Sequence, residues 1–140
     1  MAERKIKILL GKVGLDGHDR GVRMLSTWFR NAGMEVVYLG THNTPEAVVK
    51  AAAEEDVDVI GLSFQGGEHV PLLKLVVEEM KKAGLRDVPL IAGGNIPRQD
   101  MEPLKEMGVA AIFPAGTSVA TITGYLWESV GSKKQAGSHS

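Results

Sequence analysis

Cysteine is absent from all 140 residues. Disulfides, thiolate metal sites and thiol catalysis are therefore excluded, and a reducing compartment is expected. Aromatic residues make up only 5%, too few for a base-stacking surface. Neither sign of charge is in excess: the formal net charge is −1 and the sequence pI about 6.4. That balance leaves no electrostatic footprint for nucleic acid or for an anionic membrane. No apolar run approaches membrane length, and Met1-Ala2-Glu3-Arg4-Lys5 is not followed by an apolar stretch of signal-peptide type, so a cytoplasmic protein is expected. Familiar chemical signatures are missing as well. Without Gly-x-Gly-x-x-Gly or a Walker Gly-Lys-Ser/Thr, ordinary dinucleotide or triphosphate binding has little support. Without Gly-x-Ser-x-Gly or His-Glu-x-x-His, neither a nucleophile elbow nor a zincin helix is present.

What is present is an ordinary globular composition, 44% hydrophobic and 24% charged, on a chain long enough for one domain with its own core. Ile6, Ile8, Leu9 and Leu10 read as a first strand, apolar on both faces as a central parallel strand should be. Val22, Leu25, Trp28, Phe29 and Ala32 then recur at helical spacing, with Gly33 as the stop. Met34 to Leu39 supplies a second strand. Thr44-Pro45-Glu46 opens a helix, with Thr44 as N-cap, Pro45 at its first position and Glu46 near the positive end of the dipole; it runs to about Glu55. Val57 to Leu62, ending at Ser63, is a third strand, and Leu72, Leu73, Val76, Val77 and Met80 mark the inner face of a helix that stops at Gly84. Val88 to Ala92 is a fourth strand, closed by Gly93-Gly94. Asp100 can cap a short helix through Met107, in which Pro103 suits the first turn but not the middle. Val109 to Phe113 is a fifth strand, and Val119, Ile122, Leu126 and Val130 mark a last helix. Residues 1–130 are expected to form the domain, and the small, polar residues 131–140 a disordered tail.

Strict alternation of strand and helix predicts an α/β fold: a doubly wound, five-stranded parallel sheet of flavodoxin-like order 2-1-3-4-5 with helices on both faces. In such sheets ligands bind outside the carboxyl ends of the strands, at the switch point between strands 1 and 3. The two richest loops follow those strands. After strand 1 comes Lys12-Val13-Gly14-Leu15-Asp16-Gly17-His18-Asp19-Arg20-Gly21; after strand 3 comes Ser63-Phe64-Gln65-Gly66-Gly67-Glu68-His69. A lone loop histidine is more often a surface or capping residue than a ligand. Here Asp16 and Asp19 stand beside His18, and a carboxylate that takes one ring N–H orients a metal-bound imidazole and makes it more basic. One histidine does not make a zinc site, and His42, His69 and His139 show no ligand spacing, so the rest of any coordination sphere must come from elsewhere, such as a macrocycle. Lys12 is either a solvated charge or the partner that keeps Asp16 ionised. Gly66-Gly67, Gly93-Gly94 and Gly116 follow strands 3, 4 and 5; they serve tight turns, or a backbone that admits something long and bulky. Ser63 and Thr117 are caps or hydroxyl donors into that slot.

Asp16-Gly17-His18-Asp19-Arg20-Gly21 resembles the Asp-x-His-x-x-Gly signature of cobalamin-binding domains. The longer form from Lys12 to Gly21 resembles adenosylcobalamin-dependent acyl-CoA mutases of the methylmalonyl-CoA mutase type, and the likeness extends from about Lys5 to Val130. The resemblance implies that His18 replaces the cofactor's benzimidazole as lower axial ligand to cobalt. Asp16 would hydrogen-bond that imidazole with Lys12 behind it, and Gly17, Asp19 and Arg20 would complete the loop. The displaced nucleotide tail would enter the slot where Gly21 leaves room, Ser63 would meet the benzimidazole, and Gly93, Gly94, Gly116 and Thr117 would line the far end. Ser63-Phe64-Gln65, followed by Gly66-Gly67, departs from the usual Ser-x-Leu and is closer to the Gln-Gly-Gly version of isobutyryl-CoA mutase fusions. The implied function is that of a stand-alone cofactor subunit, inactive alone. Its partner would be a large barrel-type acyl-CoA mutase subunit that binds substrate and encloses a radical 1,2-rearrangement. Two alternatives stand beside it. A corrinoid methyl carrier usually has Asp-x-His-Asp-Ile-Gly-Lys-Asn and a preceding helical cap, whereas Arg20 stands here. A non-catalytic cobalamin-sensing or storage module is the other.

Overall fold

A computed structural model describes residues 5–14, 20–65, 67–85 and 87–131. Strands and helices alternate: β1 (Lys7–Val13), α1 (Arg20–Asn31), β2 (Glu35–Asn43), α2 (Pro45–Glu55), β3 (Val59–Phe64), α3 (His69–Lys82), β4 (Leu90–Gly94), α4 (Arg98–Met107), β5 (Ala111–Pro114) and α5 (Val119–Leu126). The strands form one sheet of order β2-β1-β3-β4-β5, every neighbouring pair parallel. This is the expected doubly wound fold. No helix among the described residues is long and apolar enough to cross a membrane.

Strand alternation divides the core in two. Leu9 and Val13 of β1, Ile60, Leu62 and Phe64 of β3, and Leu90 and Ala92 of β4 point to one face, where α2, α3 and α4 cover them with Val48, Val49, Leu73, Val76, Val77, Met80 and Leu104. Ile8 and Leu10, Val59 and Ile91 point to the other, under Val22 and Phe29 of α1 and Ile122 and Leu126 of α5. Each strand is thus read out by the two-residue period of its side chains.

Local chemistry sets the ends of the elements. Thr44 Oγ1 accepts the Ala47 N–H at 3.1 Å and Pro45 is the first helical residue of α2, as expected; Asp56 closes that helix in a left-handed conformation. The strands differ more from expectation. β1 and β2 both run past the point where the apolar pattern ends, because Asn43 Nδ2 donates to the carbonyls of Lys12 (3.0 Å) and Gly40 (3.1 Å) and its own carbonyl accepts from Gly14 N–H (2.9 Å). Lys12 is therefore a strand residue, and it is fully buried, which removes the solvated-charge alternative. β3 starts at Val59 since Asp58 is occupied with the Lys7 backbone, its carboxylate accepting that N–H at 2.8 Å. α4 begins at Arg98 after Pro97, so Pro103 lies inside the helix; Asp100 is not its cap and instead meets His69. Past α5 the chain widens into a π-helical turn, Trp127–Gly131, where one continuous α-helix was expected. The tail expected beyond it lies outside the described residues.

Candidate functional site

The parallel register builds the site row by row. Across the sheet, Leu10 pairs with Gly61 and Gly61 with Ile91; one step nearer the carboxyl edge, Ser63 pairs with Gly93 and Gly93 with Phe113. These residues share the face covered by α1 and α5. Gly61 and Gly93 remove two side chains from the middle of that face, and the helices above stand apart. What remains is a slot of about 260 Å³. Its floor is Leu10, Gly61, Ser63, Ile91 and Gly93; one wall is Gly21, Leu25, Trp28 and Phe29 of α1, and the other is Phe113, Gly116, Thr117 and Ile122.

The glycines differ in what they do. A Cβ at Gly61 would lie 3.0 Å from Leu10 Cδ2, and one at Gly93 3.1 Å from the Phe113 carbonyl, so both are crowded at the floor. At Gly94, with φ of +106°, a Cβ would collide with the Phe64 carbonyl. At Gly21 it would meet nothing within 4 Å among the described residues, which leave the space beside it open.

The rim is stitched together by hydrogen bonds between successive loops. Asn95 N–H donates to the Phe64 carbonyl at 2.8 Å, Ala115 N–H to the Gly94 carbonyl at 3.0 Å, and Asn95 Nδ2 to Gln65 Oε1 at 2.9 Å. Thr117 Oγ1 donates to the Pro114 carbonyl at 2.6 Å, while the N-cap of α5 is its neighbour Ser118, which accepts the Thr121 N–H at 3.1 Å. Thr117 is thus a turn-closing hydroxyl that also borders the slot. The Lys12 ammonium donates to the Ser63 carbonyl at 3.2 Å, one of its partners, and so ties the carboxyl ends of β1 and β3 together. Burying that charge is tolerable only with such partners around it.

Of the residues singled out in the sequence, Gly21, Ser63, Gln65, Gly93, Gly94, Gly116 and Thr117 line this one slot, with Lys12 bonded at its edge. Arg20 is the exposed first residue of α1. Phe64 is not brought there. The two-residue period turns its ring to the opposite face, where it is buried and meets His69 edge-on at 6.4 Å. Asp16, Gly17, His18, Asp19 and Gly66 lie outside the described residues. Reading the sequence missed Gly61, Leu25, Trp28 and Phe113 as slot residues. Gly61 carried a signal, since it stands two residues before Ser63 and therefore on the same face. His69, at the start of α3, is buried with Nε2 2.7 Å from Asp100 of α4, a link between those two helices on the face away from the slot.

A second hollow, of about 420 Å³, lies among Val77, Met80, Lys81, Leu85, Val88 and Met107. It sits at the other end of the sheet, and among its described lining residues only Lys81 has a polar side chain.

In a doubly wound domain, a glycine-floored slot bordered by the carboxyl-edge loops lies where such folds bind small molecules. The chain belongs to the family described as the B12 binding domain, which matches residues 6–122. It is 42% identical over 113 residues to the 2-hydroxyisobutanoyl-CoA mutase small subunit of Aquincola tertiaricarbonis, covering 81% of this chain and 83% of that one. To the ethylmalonyl-CoA mutase of Cereibacter sphaeroides it is 46% identical over 110 residues, which is 79% of this chain but only 17% of that protein. Among solved structures, a cobalamin-binding protein from Desulfitobacterium hafniense superposes with a TM-score of 0.76 at 26% identity, covering 89% of this chain and 59% of the other.

Proposed function

We propose that this chain is the adenosylcobalamin-binding subunit of an acyl-CoA mutase that catalyses a radical 1,2-carbon-skeleton rearrangement. The observation that carries this is the slot between α1 and α5. It is far too small for a corrin, yet it is mainly apolar, walled by α1 and α5 over the sheet and open beside Gly21, as a nucleotide tail detached from cobalt requires. His18 would ligate the cobalt, Asp16 would take the proton on its other ring nitrogen, and Lys12 would keep that carboxylate ionised. The burial of Lys12 supports its part, because an ammonium enclosed at the carboxyl end of β1 is strongly stabilised by a carboxylate in the loop that follows. Gly21 leaves room for the tail, and Ser63, Gly93, Gly94, Gly116 and Thr117 line its path. Gln65 holds the edge of the slot through Asn95, and Gly17, Asp19, Arg20 and Gly66 would complete the cofactor-binding set.

When bound, such a cofactor supplies homolysis of a cobalt–carbon bond, chemistry that must be kept from water. This chain's residues orient and hold it. The acyl-CoA site and its acid–base groups belong to a large barrel-type partner subunit, consistent with a relative that is itself a small subunit and another in which the matching region is a sixth part of the protein. A chain without cysteine suits the reducing cytoplasm in which such an assembly would work.

The test is the visible spectrum of adenosylcobalamin with the protein and with His18→Ala. A base-off, histidine-on spectrum is expected for the wild type and is lost in the variant. The same spectrum for both would take His18 out of this role.

A further inference from the structure

The wall of the slot contributed by α1 contains an unusual residue. Gly21, Leu25 and Trp28 follow one another at intervals of four and three, so they form one stripe of the helix. Val22 and Phe29 are buried in the core beside that stripe, whereas Trp28 remains 42% exposed while lining the slot. Seven residues of α-helix separate Trp28 from Gly21, about 10 Å along the axis. Because α1 runs back from the carboxyl edge of the sheet, Trp28 stands at the deep end. The slot is graded in the same direction. Ser63, Gln65 and Thr117 border its mouth, and Phe29 and Ile91 lie deeper.

We propose that Trp28 is a cofactor-binding residue that covers the heteroaromatic end of the nucleotide tail with its indole face. This rests on the cofactor reading given above. A half-exposed indole beside an apolar cleft gains by burying its remaining surface, and it offers a large rigid face to a planar ring. A tail that is polar near the corrin and planar and apolar at its end matches the gradation from mouth to depth. Leu25 has apolar surface but no flat face, Phe29 is buried in the core and Phe113 is already paired edge-on with Tyr125 at 5.5 Å, so the aromatic contact falls to Trp28.

The full chain is titrated with adenosylcobalamin and with adenosylcobinamide, which has the same corrin but no nucleotide tail, using wild type, Trp28→Ala, Trp28→Phe and Trp127→Phe. Trp28→Ala is expected to weaken adenosylcobalamin binding about tenfold, the scale of one lost stacking contact. Trp28→Phe recovers most of that loss, and Trp127→Phe, outside the slot, binds like wild type. Adenosylcobinamide, carried to millimolar concentration, is bound equally by all four. Unchanged adenosylcobalamin binding by Trp28→Ala overturns the proposal, and so does equal weakening of both corrinoids, while each leaves the cofactor reading standing. A wild type that takes up neither corrinoid removes both.

Discussion

The two faces of the sheet are made from the same strands and finished differently. On the α2–α3–α4 face the alternate residues are large and buried beneath the helices: Leu9, Ile60, Phe64 and Leu90 share one core cluster with Val48, Leu73, Val76 and Leu104. On the α1–α5 face the alternate residues of β3 and β4 shrink to glycine just where the helices part, at Gly61 and Gly93. On the α2–α3–α4 face the hollow, among Val77, Met80 and Met107, lies at the amino end of the sheet, away from the ligand-binding edge. The other face gives up part of its packing at one end and keeps Ile6, Ile8, Met34 and Leu126 packed at the opposite end. In a protein interior that is otherwise close-packed, an unfilled slot lined by several elements marks the place where something else is expected to lie.

That contrast yields its largest effect at a glycine belonging to neither face. Gly94 ends β4 with φ of +106°, and any Cβ there would run into the Phe64 backbone. Gly94→Ala should cost about 4 kcal/mol, combining left-handed strain with forced displacement of β3, read as a shift in urea midpoint. A loss under about 1 kcal/mol would mean that the seam between β3 and β4 is loose, and the slot's rim with it. Next in size is a truncation on the filled face. Leu73 is fully buried on α3, and Leu73→Ala should cost about 3 kcal/mol by leaving a cavity. Corrinoid affinity measured well below the melting temperature should stay unchanged, because the cavity opens on the far side of the sheet. A parallel drop in affinity would show that the two faces are coupled and not independent.

The filled face was the more legible one in the sequence. Its helix positions Leu73, Val76, Val77 and Met80 recur at a helical period, and α2 announced itself through Thr44 and Pro45, so order and layering followed from pattern and from the handedness of crossovers. The strand ends were less readable because hydrogen bonding, not hydropathy, sets them: Asn43 carries β1 through a buried lysine that the apolar pattern would leave outside. On the slot face, the loop glycines and Ser63 could be picked out because they follow strands. Gly61 sits inside an apolar run and is visible only when the period of two is counted back from Ser63. Leu25 and Trp28 fit the helical period of α1 as core residues. Sequence periodicity gives the angular position of a residue on a helix, but not whether the sheet opposite is filled or hollow. That depends on glycines from two other strands, brought into register only by the fold.

The smallest stability effect is the most informative, since it separates what folding asks of a glycine from what a ligand asks. Gly21 lies in the first turn of α1, where the backbone is helical and open to any residue. Glycine there is a poor choice for the helix alone, as it loses more backbone freedom than other residues on folding. Among the described residues nothing packs against its position: a Cβ would meet none of their atoms within 4 Å. Gly21→Leu should therefore stabilise the protein by about 0.5 kcal/mol in chemical denaturation. The same side chain projects into the mouth of the slot, and adenosylcobalamin binding should fall by at least about tenfold, because overfilling a site costs on the order of 1–3 kcal/mol. Stability and affinity move in opposite directions only if that space is kept for a ligand. If both fall, Gly21 is there for the fold; if affinity holds, the tail does not pass beside it.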